Sequence, residues 1–255
     1  GAAEILLCIG GSASTDGGTG VLRALGVRFL DASGQEVAPG GGTLGEISRV
    51  DLTGLHPRAR DARWRIAVDV ENPLVGERGA AAVFGPQKGA SPDDVKVLDG
   101  GLAHLAGRLA EVGGVAGEGL LHGPGMGAAG GLPASLVAIL GAELVPGSRL
   151  VADAVGLAET LADADIVLTG EGSFDSQSLH GKVVDGVRDA APSGSPIVVI
   201  AGRVALSATE VAAAGLTAAI SLARGPADED ALRRDAAELV SEAAETACRL
   251  LTAAR

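Results

Sequence analysis

Between Leu168 and Lys182 the sequence sets two acids and a lysine among hydroxyl and amide side chains and three glycines: Leu168-Thr169-Gly170-Glu171-Gly172-Ser173-Phe174-Asp175-Ser176-Gln177-Ser178-Leu179-His180-Gly181-Lys182. Glu171 and Asp175 are oxygen donors of the kind that hold Mg²⁺, and Lys182 near a helix start can meet a phosphate. Gly170, Gly172 and Gly181 let the backbone approach a ligand closely. The bland alternative is that Asp175 or Ser176 caps the following helix while Lys182 is solvated.

The elements that position this stretch can be read on either side of it. Residues 165–169 form an apolar, β-branched run expected to be a strand buried on both faces, and Val183, Val184 and Val187 recur at helical spacing. The loop then starts at Gly170, at the carboxyl end of a parallel strand, where α/β folds place ligands. The same arrangement opens the chain. An apolar run at 5–9 ends in Gly10-Gly11-Ser12-Ala13-Ser14-Thr15-Asp16-Gly17-Gly18-Thr19-Gly20, and Val21, Leu22, Ala24 and Leu25 suggest a helix after it. Strand, glycine loop and helix make an anion nest in which backbone N–H groups converge, and Ser12, Ser14 and Thr15 can add hydroxyls. The loop is neither a Walker A motif nor a dinucleotide fingerprint. Tight packing of the glycine-rich loop is the other open reading, and Asp16 within the loop favours a ligand.

A third strand, at 64–70, delivers Asp69 and Glu71 to its carboxyl end, and Asn72-Pro73 stops it. Asp69 there is a candidate general base or metal ligand, or else an acid that serves a turn. Arg78 and Lys88 follow as cations in an otherwise acidic and apolar context. Ser91 is expected to cap a helix with Pro92 at its first position. The stripe Val95, Leu98, Leu102, Leu105 and Leu109 is its buried face, with His104 on the solvated side. A further glycine-rich loop, 123–131, precedes another helix.

Short strands are expected at 27–30 and 47–52, with 35–37 as a hairpin partner. Pro146-Gly147 is the best break in the chain. Beyond it the sequence predicts one helix through 150–161, strands at 197–201 and 216–221, a loop at Gly202-Arg203, a helix at 207–214 and a long last helix from about 228. Alternating strands and helices specify a right-handed, doubly wound parallel α/β sheet. About three strands after residue 150 are few for an independent sheet.

With 255 residues, 47% of them hydrophobic, and 40 glycines, the chain is globular and turn-rich. A formal charge of −12 without a basic cluster argues against nucleic-acid and anionic-membrane surfaces. Cys8 and Cys248 suggest no disulfide framework and are expected to be buried thiols. With no signal-like segment and no membrane-length apolar run, a soluble cytoplasmic protein is expected.

Five motifs resemble the type I glycerate kinase family: Ile9-Gly10-Gly11-Ser12-Ala13 with Asp16-Gly17-Gly18-Thr19-Gly20; Asp69-Val70-Glu71-Asn72-Pro73-Leu74 with Arg78-Gly79-Ala80-Ala81; Phe84-Gly85-Pro86-Gln87-Lys88-Gly89-Ala90; Gly127-Ala128-Ala129-Gly130-Gly131; and Thr169-Gly170-Glu171-Gly172 with Asp175-Ser176-Gln177 and Gly181-Lys182. The resemblance implies ATP- and Mg²⁺-dependent phosphorylation of D-glycerate to 2-phosphoglycerate or 3-phosphoglycerate. It also implies two α/β domains around a cleft, one with a doubly wound, Rossmann- or flavodoxin-like sheet. Residues 1–147 would be the inserted domain, incomplete at its amino terminus, and 148–255 the returning half of a discontinuous one. It makes Asp69, Asp175 and Lys182 catalytic candidates and Asn72, Arg78, Lys88, Ser176 and Gln177 substrate-binding candidates. Gly10, Gly11, Ser12, Asp16, Gly17, Gly18, Gly170 and Gly172 would bind ATP, and Glu171 and Asp175 the metal. A homodimer is left open.

This sequence departs from the family in lacking its amino-terminal segment, in Ser173-Phe174 where many relatives have Arg-Ile, and in Glu71 where many have Asp. The rival readings are a catalytically incomplete fragment or binding module, and a dinucleotide-dependent oxidoreductase, against which the missing Gly-x-Gly-x-x-Gly counts.

Overall fold

The computed structural model describes residues 1–179, 183–223, 225 and 228–253, and contacts divide the chain into two units, Gly1–Val145 and Pro146–Arg255. In the first unit β1 (Glu4–Cys8) leads through the glycine loop to α1 (Thr19–Ala24), β2 (Arg28–Leu30), β3 (Arg49–Asp51), α2 (Pro57–Asp61) and β4 (Arg63–Ala67). Then come α3 (Ala80–Phe84), α4 (Pro92–Gly113), α5 (Gly117–His122), α6 (Leu132–Leu140) and β5 (Glu143–Val145). A parallel sheet runs β1-β4-β5, and β2 pairs antiparallel with β3.

Alternation along β4 explains which face is covered. Trp64 and Ile66 turn into a core with Leu22, Phe29, Leu102, Leu105 and Leu136, while Arg63 and Arg65 turn outward to Glu143 and Glu4. Trp64 is buried, and its indole N–H donates to the Ala59 carbonyl at 2.7 Å. The long helix α4 starts as its sequence dictates. Ser91 Oγ accepts from the Asp94 N–H at 3.2 Å, the Asp94 carboxylate accepts from the Ser91 N–H at 2.9 Å, and Leu102, Leu105 and Leu109 are buried.

Several expectations for this unit change. The strand at 47–52 shortens to β3, the hairpin partner at 35–37 reduces to a bridge between Leu30 and Glu36, and the three-residue β5 is additional. His104 is half-buried, not solvated: its Nε2 lies 2.6 Å from the Ile47 carbonyl. Cys8 is exposed and Cys248 half-buried, because β1 alternates and Cys8 falls on the face shared by Glu4 and Leu6.

The second unit runs α7 (Gly147–Ala154), α8 (Leu157–Leu161), β6 (Val167–Phe174), α9 (Val183–Ala190), β7 (Ile197–Val204), α10 (Ala208–Ala213), β8 (Ala218–Ser221), α11 (Glu229–Arg234) and α12 (Ala236–Ala253). Its sheet is parallel in the order β6-β7-β8. Ile197 and Val199 of β7 pack with Val184 of α9 and Val211 of α10, and Ile200 packs with Leu239 and Ala243 of α12, so helices cover both faces. That is the doubly wound α/β arrangement expected.

The strand buried on both faces is β7, however, and not β6, where Leu168 is 39% exposed. Nor does β6 end at Thr169. Its ladder with β7 continues through Glu171↔Ala201 to Phe174↔Val204, so Gly202 and Arg203 are also strand and not loop. Gly170 allows this, since a Cβ there would lie 2.3 Å from the Ile200 carbonyl oxygen. Gly156, in the left-handed region at φ 64°, divides the helix expected at 150–161 into α7 and α8. The last helix likewise breaks at Asp235. Among the described residues no helix is long and apolar enough to cross a membrane.

Candidate functional site

At the carboxyl ends of β1 and β4 the first unit opens a cavity of about 290 Å³. The chain leaving β1 lines it with Ile9, Gly10, Gly11 and Ser12, and the chain leaving β4 with Ala67, Val68, Asp69 and Val70. Phe84, Gln87 and Lys88 close a third side, Ala128 and Ala129 a fourth. A Cβ at Gly10 or Gly11 would meet nothing within 4 Å, so the space beside this stretch of backbone is open to a ligand. Ala129 sits in the left-handed region at φ 48°, alone among the described non-glycine residues. Strain of this kind concentrates at ligand sites, and an alanine in a glycine-rich run carries no local signal of it.

Lys88 is the cation of this cavity. It stands at the end of a 3-10 turn, Pro86–Lys88, whose helical exit Gly89 completes. Its ammonium donates to Ser12 Oγ at 2.9 Å and to the Ser14 carbonyl at 2.6 Å, tying the glycine loop to the segment after α3. Burial pushes its pKa below the usual lysine value, and the nearby Asp16 charge pulls the other way. Asp69, exposed on β4's exit, lines the same cavity. A lysine ammonium, open glycine backbone and a carboxylate around one space suit an anionic ligand that also carries an acidic or transferable proton.

Other candidates in this unit do different work. Asp16 caps α1: its carboxylate accepts from the N–H groups of Gly18 at 3.1 Å and Gly20 at 2.9 Å and from the Thr19 hydroxyl at 3.2 Å. Gly17 and Gly18 are buried with positive φ, and a Cβ would lie 2.4 Å from Leu105 Cδ2 at the first and 3.0 Å from Leu132 Cα at the second. The loop therefore divides into a cavity-facing half, Gly10 to Ser12, and a packing half, Asp16 to Gly18. Asn72 is a latch: its side-chain Nδ2 donates to the Arg78 carbonyl at 2.8 Å, and its main-chain carbonyl accepts from the Gly127 N–H at 2.9 Å. Arg78 is exposed and outside the cavity lining.

In the second unit the remaining candidates lie on and just beyond β6. Glu171 is half-buried within the strand, and its Oε1 is shielded from solvent with no hydrogen-bond partner. Gly170 and Gly172 flank it in the strand. Asp175 follows the strand: its N–H donates to Ser178 Oγ at 3.2 Å, and its carbonyl accepts from the Ser178 N–H at 3.0 Å. Ser178, fully buried, thus shapes the turn, a role the sequence reading missed. Ser176 is exposed, and Ser176 and Gln177 belong to the 3-10 turn Ser176–Leu179. Lys182 lies outside the described residues. Among the described residues no group of three or more His, Cys, Asp or Glu side chains gathers as a metal site.

Comparison with known proteins bears on both units. The glycerate kinase family profile matches residues 1–252. A glycerate kinase of Halalkalibacterium halodurans is 45% identical over 223 residues, covering 87% of this chain and 58% of that protein. A glycerate 2-kinase of Escherichia coli K12 is 46% identical over 208 residues, covering 79% and 52%. A crystal structure assigned as glycerate kinase 2 of Salmonella typhimurium LT2 superposes with a TM-score of 0.78 at 41% identity, covering 99% of this chain and 65% of that one. The chain thus spans about half to two thirds of the length of these relatives. With a family match along nearly its whole length, the chain belongs to the glycerate kinase family.

Proposed function

We propose that the chain carries out, or forms the acceptor-binding part of, ATP-dependent phosphorylation of D-glycerate, giving 2-phosphoglycerate or its 3-isomer. The observation that carries this reading is the cavity in which Lys88, the open Gly10-Gly11-Ser12 backbone and Asp69 face one space. The glycerate hydroxyl oxygen attacks the γ-phosphorus, the bond from that phosphorus to the β,γ-bridging oxygen breaks, and ADP leaves. Asp69 accepts the hydroxyl proton. Lys88 and the glycine N–H groups balance the negative charge of the substrate carboxylate or of the phosphoryl group in flight, which is most of what such catalysis needs.

Mg²⁺, when bound, neutralises phosphate charge and orients the phosphates. In the second unit the Glu171 carboxylate fits such an ion, as an oxygen donor whose Oε1 has no protein partner, and Asp175 is the second candidate ligand.

The test is ³¹P NMR of the chain with ATP, Mg²⁺ and D-glycerate, followed by the same assay on Asp69→Asn. Product from the unaltered chain and a loss of about 100-fold or more in the variant support the reading. Turnover within about twofold in Asp69→Asn removes Asp69 as the base. No product from a folded chain removes the kinase reading of this chain alone and favours the binding-part alternative, which the greater length of the relatives motivates.

A further inference from the structure

A second cavity, of about 320 Å³, lies on the other side of Lys88, and Lys88 is the one residue that lines both. Thr15 from the glycine loop, Gly41 and Gly42 before β3, Gly89, and Val97 and Leu98 of α4 form much of its wall. The acid at its edge, Asp94, is engaged in the cap of α4. Lys88 is then the charge at the neck, and the rest of the wall is backbone of glycines and aliphatic side chain. Surfaces of that kind, flat where side chains are missing and apolar on the helix side, accept a planar uncharged group.

Thr15 supplies a second observation. Only 8% of the residue is exposed, and its hydroxyl is shielded with no hydrogen-bond partner. A buried hydroxyl without a partner is a standing cost, and rotation about χ1 exchanges the positions of hydroxyl and methyl. A ligand with ring nitrogens in the adjoining cavity would satisfy it.

We propose that this second cavity holds the heteroaromatic base of the nucleoside triphosphate, with Thr15 Oγ1 as its hydrogen-bond anchor and Lys88 at the neck meeting the phosphates. Base, phosphates and acceptor hydroxyl then follow one another from α4, past Lys88, to Asp69. The inference rests on the kinase reading and adds to it the location of the base.

Calorimetric titration of the chain with ADP and, separately, with inorganic tripolyphosphate tests it. Thr15→Val removes the hydroxyl at constant shape, Thr15→Ser keeps it, and Val97→Trp fills the cavity from an exposed helix position. Expected are an ADP dissociation constant raised about five- to tenfold in Thr15→Val, the loss of one hydrogen bond, and near-original affinity in Thr15→Ser. Val97→Trp weakens ADP by at least tenfold, and tripolyphosphate, which has no base, binds all three variants like the parent. Unchanged ADP affinity in Thr15→Val and Val97→Trp overturns the inference, as does equal weakening of tripolyphosphate. If those results come with phosphoglycerate formation by the same preparations, the kinase reading survives without this location for the base. Failure of the parent chain to bind either probe overturns the inference and, with it, the reading of this chain as a kinase by itself.

Discussion

Asp16 offers the sharpest contrast between a ligand residue and a residue that builds the loop, because the two roles predict different measurements. Replacing Asp16 with Ala removes the acceptor for the Gly18 and Gly20 N–H groups and the Thr19 hydroxyl. Gly20 is exposed and recovers a bond to water, and the Thr19 hydroxyl keeps its 3.0 Å bond to the main-chain carbonyl of residue 16, whereas the buried Gly18 N–H is left without an acceptor. Loss of a cap costs about 1 kcal/mol and a stranded buried donor about 1–3 more, so Asp16→Ala is expected to lose roughly 2–4 kcal/mol. Asp16→Asn keeps an acceptor oxygen and loses only the charge facing the helix dipole, about 0.3–1 kcal/mol. Urea unfolding followed by the fluorescence of Trp64, the single tryptophan and buried in the first unit, reads this unit directly. With a slope near 2 kcal/mol/M the midpoint falls by about 1–2 M in Asp16→Ala and by less than about 0.5 M in Asp16→Asn. A midpoint within about 0.2 M of the parent in Asp16→Ala, together with lost tripolyphosphate binding, would refute the capping argument and return Asp16 to the ligand site.

Three further outcomes are expected. Because burial lowers the pKa of Lys88 below 10.5, anion binding through its ammonium declines as pH rises through the lowered value. Its effect on stability has the opposite sense, since the unfolded chain holds that proton more tightly: stability from this group rises with pH between the folded value and 10.5. Tripolyphosphate titrations across alkaline pH check this, and an inflection at or above 10.5, or one that persists in Lys88→Met, contradicts it. Ala129→Gly relieves a left-handed backbone worth about 1–2 kcal/mol and loses about 0.4–1 through the freer unfolded chain, so a net gain of about 0.5–1 kcal/mol is expected; a loss in the same urea assay counts against strain at this position. Gly170→Ala drives a Cβ to 2.3 Å from the Ile200 carbonyl oxygen and is expected to destabilise the second unit by about 1–3 kcal/mol, read by far-UV circular dichroism on heating. A change under about 0.5 kcal/mol means β6 and β7 do not approach this closely.

What could be read from the sequence was set by how local the deciding physics is. The Ser91 cap and the leucine stripe of α4 are fixed by residues within a few positions of one another, and both stand as expected. The end of β6 is not local. Gly170, Gly172 and the polar residues beside them are turn formers by composition, yet a neighbouring strand pairs with them and a buried Phe174 anchors the far end. The α/β class was legible because alternation repeats along the chain, whereas β5, three residues long, carries no pattern of its own. At the candidate site, Gly10, Ser12, Asp69 and Lys88 line one cavity. Glycine and aspartate have the same appearance in a sequence whether they face a ligand or a helix end, so the division of the loop at Ser12 and Asp16 had to come from contacts with α1 and α4.

The ladder between β6 and β7 runs on to Phe174↔Val204, while β8 pairs with β7 only from Val198 to Ala201. Among the described residues, the last residues of β6 and β7 therefore form a two-stranded ribbon with no third strand beside it. Opening such a ribbon breaks fewer bonds than opening the three-stranded part. Amide protons at 172–174 and 202–204 should exchange with deuterium well before those at 198–201, so the second unit carries a built-in gradient of local stability that steepens toward the Glu171 end of the sheet.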